Sequence, residues 1–463
     1  MSDERLDKFF HPSSVAIIGA SHTSGKLGYI VLQNFIRENF EGGVYPVNPD
    51  TSPIMGKKVY SSVKDLPGSV DLAVIVVPSV SVPAVVKECS DKKIPSIVVI
   101  SGGFSEIGTK GIILEDKLKK AVKESKGRTR IVGPNCVGVL VPRNRVDTVF
   151  LSMERMKRPK EGNIAFISQS GAVGSTVLDW LAKEGIGISK FISYGNGVDV
   201  NESDLLEYLA EDEETKVIAV YIEGLKSEGK IFVDILKKVC RKKPVVVLKA
   251  GKSQKGSKAA ASHTGSLAGS SRIYSAAFKQ AGVIEAKNWE ELFDFVKAFG
   301  MQPVPKSNRL AIITDGGGFG VLATDEAERQ EIQLPEPSDQ LKKSLQSKMP
   351  PHVILHNPMD VTGDADVGRY RYALEGILGS RDFDGAIVIS LMQVPTLDAK
   401  ISDVISEMKK FEKPILACAV GSAFTENVVK AMEARGIPVF PTPERAVNAF
   451  SALYKRQKFQ NGR

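Results

Sequence analysis

Cysteine is scarce in this 463-residue chain, and so are aromatics and long apolar runs. The four cysteines, Cys89, Cys136, Cys240 and Cys418, stand far apart. That spacing excludes a disulfide framework and a zinc-ligand motif, and it fits reduced thiols in a cytoplasmic protein. No metal-binding cluster is expected. No apolar stretch approaches the roughly 18 residues of a membrane span. The first ten residues are charged and lack a signal-peptide core. Aromatics make up only 7% and form no base-stacking pattern, so the net charge of +8 points to small polyanions rather than nucleic acid. The first glycine turn lacks the G-x-G-x-x-G spacing of a dinucleotide site, which disfavours an NAD-dependent oxidoreductase. Gly251-Lys-Ser-Gln-Lys-Gly256 lacks the spacing of a nucleotide-binding P-loop, and no ATP-grasp pattern is evident. Nucleotide binding therefore requires something besides this chain.

What the chain has in abundance is short β-branched apolar runs alternating with amphipathic helical patterns. Val15–Gly19, Leu72–Val77, Ser96–Ile100, Val217–Ile222, Val245–Lys249, Leu310–Thr314 and Ile415–Ala419 are such runs. Strands of this kind are buried on both faces, so the expected class is α/β with largely parallel sheets covered by helices. Turn-forming residues at 159–162 and the Pro-rich segment Met301–Ser307, expected as an extended linker, divide the chain into blocks at 1–150, 151–300 and 301–463.

The first block carries a phosphate-binding type of turn. Strand Val15–Ile18 runs into Gly19-Ala20-Ser21-His22-Thr23-Ser24-Gly25-Lys26-Leu27-Gly28 and then a helix. Glycine permits the tight turn, and the helix end offers free N–H groups to phosphate. The next strand ends at Asn48, where an NAD site would place an acid, and Lys57 follows, which suits a phosphorylated ribose. Two further strand ends, Val77-Pro78-Ser79 and Ser101-Gly102, leave room for an extended ligand. The turn at Gly133-Pro-Asn-Cys136 turns Asn135 towards the same crevice.

The second and third blocks repeat one device, a buried strand, a small-residue turn and a helix. It appears as Ser168-Gln169-Ser170-Gly171 and as Gly316-Gly317-Gly318. Both are candidate phosphate cradles. Glu223 ends the strand Ala219–Glu223, where a buried carboxylate needs a partner. One of only five histidines, His263, lies in a stretch from Ile235 to Ile284 that holds eleven lysines and arginines and no acid. A neutral imidazole there is a nucleophile in a field that attracts anions. Asn196 and Asp199 follow a strand and are candidates for the same cavity, and Asp360 is a candidate support for the third-block turn.

Gly19-Ala-Ser, Pro46-Val-Asn-Pro, Gly133-Pro-Asn-Cys, Ser168-Gln-Ser-Gly and Ser262-His-Thr-Gly-Ser, in this order, resemble the α subunits of the nucleoside-diphosphate-forming acyl-CoA synthetases. Among these the archaeal ADP-forming acetyl-CoA synthetases are most similar, and succinyl-CoA synthetase is a relative. The resemblance covers essentially the whole chain. It implies a Rossmann-like CoA-binding domain over 1–150, a flavodoxin-like domain over 151–300 and a second flavodoxin-like domain over 301–463. It implies coenzyme A and phosphate as ligands and His263 as the phosphorylated residue. Glu223 would accept a hydrogen bond from the imidazole, and two opposed helix ends would hold the phosphate. ADP or ATP with Mg2+ would bind a β subunit carrying an ATP-grasp domain, in a tetramer of two α and two β chains. The chain departs from the succinyl-CoA relatives at Val137, where they carry proline, and in its fused third block. A CoA-binding regulatory module without catalysis would explain the first block but not the His263 segment.

Overall fold

The computed structural model describes residues 3–258, 270–421 and 423–462, and these fall into two units, 1–285 and 286–463. The first unit holds two sheets. In its first sheet five parallel strands lie in the order Gly43–Val47, Ser14–Ile18, Leu72–Ile75, Ser96–Val99, Arg130–Val132. The apolar runs form these strands because they are covered on both faces. Val15, Ala16, Ile17, Leu72, Ala73 and Val74 are all fully buried.

In the second sheet the parallel strands Ile188–Ser193, Glu161–Ser168, Val217–Ile222 and Val245–Lys249 are adjacent in that order, with Ile284–Ala286 at the edge. An antiparallel pair from earlier in the chain, Gly138–Val141 and Val146–Asp147, extends this sheet beside Ile188–Ser193. Gly138 makes the crossing possible. Its φ is +113°, and a Cβ there would lie 2.3 Å from the Thr148 hydroxyl.

An ion-pair network ties the two sheets of the first unit. Arg130, at the start of its strand, binds Asp199 through Nε at 3.1 Å, Asp204 at 3.0 Å and Asp3 at 2.9 Å. Asp199 also accepts the Ile131 N–H. Its carboxylate is therefore engaged in joining domains, and it is not among the cavity-lining residues described below.

The second unit holds five strands in the order Met359–Asp360, Leu310–Thr314, Gly385–Leu391, Ile415–Val420, Val439–Phe440, all parallel. All three parallel sheets thus share one winding, second-first-third-fourth-fifth, which places loops for ligands at the carboxyl ends of the strands. Helix Trp289–Met301 belongs to this unit, where Asp294 binds Arg445 of helix Pro443–Gln460 at 2.7 and 2.8 Å. The segment after it is packed, not an extended linker. Gln302 donates to Gly436 O at 2.7 Å and accepts from Ile415 N at 2.8 Å. A polar side chain that meets both needs inside the fold anchors the backbone that carries it.

Candidate functional site

The carboxyl ends of both sheets in the first unit meet around a cavity of about 820 Å3. On the first-sheet side the turn after Ser14–Ile18 is built by glycine. Gly19 has φ +93°, and a Cβ on Gly28 would lie 2.0 Å from Gly19 O. Only glycine lets helix Leu27–Arg37 come this close to the turn. Asn48 holds the turn from the side, with Nδ2 donating to Ala20 O at 2.6 Å and Oδ1 accepting Asp50 N at 2.8 Å. Ser101 Oγ donates to Val77 O at 2.5 Å and links two neighbouring strand ends. Leu27, Gly102 and Asn135 reach the cavity wall. Gly19, Ala20, Ser21, Gly25, Lys26, Asn48, Val77, Pro78, Ser79 and Ser101 form the turns at that same sheet end without lining the cavity. Lys57 sits apart on the exposed turn closed by its N–H to Ile54 O at 2.9 Å.

On the second-sheet side, strand Glu161–Ser168 passes into helix Gly171–Lys183. Both hydroxyls of the turn are used internally. Ser168 Oγ donates to Ser170 O at 2.7 Å, and Ser170 Oγ accepts Val173 N at 3.4 Å as the helix cap. What the turn offers a ligand is the backbone N–H end of the helix, which carries partial positive charge. Gly171 has no room for a side chain, since a Cβ would lie 2.8 Å from Val137 Cγ2.

Gln169 lies between strand and helix and is only 5% exposed. Its Oε1 accepts two backbone N–H groups, from Glu223 at 2.7 Å and Gly224 at 3.1 Å. Those bonds fix the amide orientation, because a flipped amide would set N–H against N–H. Gln169 Nε2 is then a buried donor with no acceptor among the described residues. Such a group costs about 1–3 kcal/mol unless something supplies an acceptor.

Glu223 follows strand Val217–Ile222, is 8% exposed and lines the cavity. Tyr221 Oη donates to its Oε1 at 3.3 Å. Its backbone carbonyl accepts Lys249 Nζ at 2.8 Å, and that ammonium also lies 4.7 Å from the centre of the Tyr274 ring. The loop beyond is held by Glu202, fully buried, whose Oε1 accepts Lys226 N at 2.8 Å, Ser227 N at 3.0 Å and Ser227 Oγ at 2.9 Å. Lys226 lines the cavity, and burial holds its ammonium below the usual lysine range.

On a third wall Asn196 lines the cavity, as expected from sequence, beside Glu106, which was not anticipated. Glu106 lines the cavity and accepts Gly103 N at 2.6 Å and Phe104 N at 3.1 Å. Its other oxygen accepts Asn196 Nδ2 at 2.8 Å, and Asn196 also donates to Glu115 Oε2 at 2.9 Å. Burial works to raise the Glu106 carboxyl, but the Asn196 amide and the backbone donors outweigh it and leave it below its ordinary range. Cys136 is at the wall too. Burial pushes its thiol up to about 12, and Sγ donates to Val99 O at 3.2 Å.

His263 lies outside the described residues. Gly316, Gly317 and Gly318 belong to the second unit, where they open helix Gly317–Arg329. Gly316 N donates to Thr314 Oγ1 at 3.0 Å. A Cβ on Gly317 would lie 2.8 Å from Asp360 Oδ2, so Asp360 flanks this turn. Its Oδ1 accepts Thr362 N at 2.8 Å. Asp315, buried beside the same turn, accepts Leu391 N, and burial pushes its carboxyl up to about 6. Among the described residues no group of three or more His, Cys, Asp or Glu is gathered as for a metal ion, and no helix is long and apolar enough to cross a membrane.

Three sheets of one winding, with glycine turns and helix ends at the carboxyl ends of their strands, define a chain of the α/β class. Family models match it in three successive stretches, a CoA binding domain at 13–142, a succinyl-CoA ligase like flavodoxin domain at 161–299 and a ligase-CoA domain at 310–461. The chain is 41% identical to the acetate–CoA ligase (ADP-forming) I subunit alpha of Pyrococcus furiosus, over 98% of each chain. It is also 41% identical to the acetate–CoA ligase (ADP-forming) of Methanocaldococcus jannaschii, of whose longer chain it covers 63%. In structure it is similar to acetyl-coenzyme A synthetase 1 of Ca. Korarchaeum cryptofilum, solved in complex with phosphate and ADP. The TM-score is 0.93 at 37% identity, covering 100% of this chain and 98% of the other. The chain belongs to the ADP-forming acetate–CoA ligase family, as the resemblance of its motifs implied.

Proposed function

We propose that this chain is the α subunit of an ADP-forming acyl-CoA synthetase, with acetyl-CoA as its substrate. The reaction is acyl-CoA plus phosphate and ADP to acid, CoA and ATP. The observation that carries this reading is the cavity itself. It joins CoA-side turns at Gly102 and Asn135 to a helix N-terminus at Gly171 and to the buried Glu223. In this scheme the thioester end of acyl-CoA enters past Leu27, and phosphate sits at the Gly171 helix end. Phosphate attacks the carbonyl and CoA leaves. The resulting acyl phosphate passes its phosphoryl group to His263, with Glu223 fixing the imidazole tautomer and stabilising its positive charge. Charge stabilisation by helix ends and by Lys226 is the main contribution the protein makes to phosphoryl transfer. Gly316, Gly317 and Gly318, in the second unit, form a further candidate phosphate-binding turn.

ADP binds a partner chain, since this one offers no nucleotide motif. That partner is a β subunit with an ATP-grasp domain, Mg2+ accompanies the nucleotide there, and the assembly is a tetramer of two α and two β chains. The relative named as a subunit alpha supports a partner. The longer Methanocaldococcus relative supports the same partner fused in one polypeptide. Reconstitution with that partner tests the reading. Acetyl-CoA, phosphate and ADP together should yield ATP, and omission of any one should abolish it. Tight CoA binding with no ATP formed would instead favour a regulatory CoA-binding module.

A further inference from the structure

Phosphate attack on a thioester places negative charge on the carbonyl oxygen, and a donor aimed at that oxygen before the reaction accelerates it. The helix end at Gly171 is committed to the phosphate, so the carbonyl needs a donor of its own. Among the other amide and hydroxyl side chains at the wall, Asn135 donates to Asn196, Asn196 to Glu106 and Glu115, Ser175 to Ala172 O, and Ser170 Oγ is held as the helix cap by Val173 N. Lys226 brings a full charge, which suits a dianion better than a carbonyl. Gln169 differs from all of these. Its Oε1 is locked by the Glu223 and Gly224 N–H groups, and its buried Nε2 has no acceptor among the described residues. It stands one residue before Ser170, the cap of the phosphate-facing helix.

We propose that Gln169 Nε2 is the oxyanion donor for the acyl carbonyl, a catalytic role separate from phosphate binding. This rests on the acyl-CoA reading of the cavity. In the step, an oxygen of hydrogen phosphate forms a bond to the carbonyl carbon, and the C=O π pair moves onto the oxygen that faces Gln169 Nε2. The pair then returns, the C–S bond breaks, and the CoA sulfur leaves with the bonding electrons and takes the proton of the phosphate. Acyl phosphate and CoA thiol result. The same glutamine ties the carbonyl site to the phosphoryl site, because its Oε1 sets the backbone of Glu223.

Infrared difference spectroscopy with acetyl-CoA labelled with 13C at the carbonyl tests this on the reconstituted α–β complex. Bound to the wild type, the thioester C=O band should shift down in frequency, and Gln169→Met should abolish the shift while the complex still binds acetyl-CoA. Phosphate-dependent CoA release should fall about 10²–10³-fold. Phosphoenzyme formation from ATP involves no carbonyl and should fall less than CoA release, through the lost Oε1 support of Glu223 alone, while an unchanged circular-dichroism spectrum and thermal midpoint serve as the check on folding. If Gln169→Met fails that check, Gln169→Glu takes its place in the infrared measurement, since it keeps an acceptor for the two N–H groups and lacks the donor. A band that shifts equally in wild type and variant, or in neither, overturns the assignment. Absence of acetyl-CoA binding by the wild type would instead overturn the acyl-CoA reading and this role with it.

Discussion

The turns at 168–171 and 315–318 begin alike and end differently. Each follows a buried strand of a parallel sheet and opens a thirteen-residue helix. The first is capped by a serine hydroxyl and bordered by a glutamine whose amide is locked in place. The second has no side-chain cap and is bordered by two carboxylates, Asp315 and Asp360. Helix ends alone therefore do not set the chemistry of an anion site, and the neighbouring side chains do. In the proposed reaction the first turn is the place where bonds are exchanged.

The largest effect that separates the two regions should come from Glu223, which only the first turn engages. Glu223→Gln should slow phosphoenzyme formation by about 10²–10⁴-fold, read as label incorporation per unit time, with acetyl-CoA binding little changed. If the rate is unaffected, the first turn loses its claim to be the phosphoryl-transfer side.

A pair of glycine substitutions sharpens the contrast at intermediate scale. Gly171→Ala drives a Cβ to 2.8 Å from Val137 Cγ2, so thermal unfolding should show a loss of about 1–3 kcal/mol. Gly318 has nothing within 4 Å of the Cβ position, so Gly318→Ala should gain up to about 1 kcal/mol from helix propensity. Should Gly318→Ala also raise the KM for phosphate, then the open space there is used by the phosphoryl group. A stable variant with wild-type KM would remove that turn from the phosphate site.

The smallest effect concerns pH. Burial raises the Asp315 carboxyl from 3.8 to about 6, so the folded second unit binds a proton that the unfolded chain has released. The sign is therefore negative, with stability falling as pH rises from about 4 to about 6. Asp315→Asn keeps an acceptor for Leu391 N and removes the titration. It should be more stable than wild type above pH 6 by about 1–2 kcal/mol, with the gain gone below pH 4 in denaturant titrations.

The parallel α/β class was legible because runs such as Val15–Ile18 and Val217–Ile222 are apolar at every position. Sequence did not reveal the antiparallel extension by Gly138–Val141. Its four apolar residues look like any other strand, and only the positive φ at Gly138 redirects them to another sheet. Gln169, Glu223 and Gly171 were found from motifs and grouped at one phosphate site by the family resemblance, but the direct contact between Gln169 and Glu223 was not legible. The bond from Gln169 to Glu223 spans 54 residues and exists only through tertiary packing. Glu106 escaped notice for the same reason, since an acid after a glycine turn reads as solvated until Asn196, ninety residues later, is seen to donate to it. Asp199 carried the opposite lesson, as its motif-like setting serves the Arg130 network that joins two sheets.

The measurement that tests the account most directly is label transfer to His263. The chain with its partner is incubated with acetyl-CoA and radiolabelled phosphate, then the label is assayed for the acid-labile, alkali-stable behaviour of phosphohistidine. The account predicts such label on the wild type and none on His263→Ala. Label of that kind persisting on His263→Ala, or none on the wild type under conditions that release CoA, would contradict it.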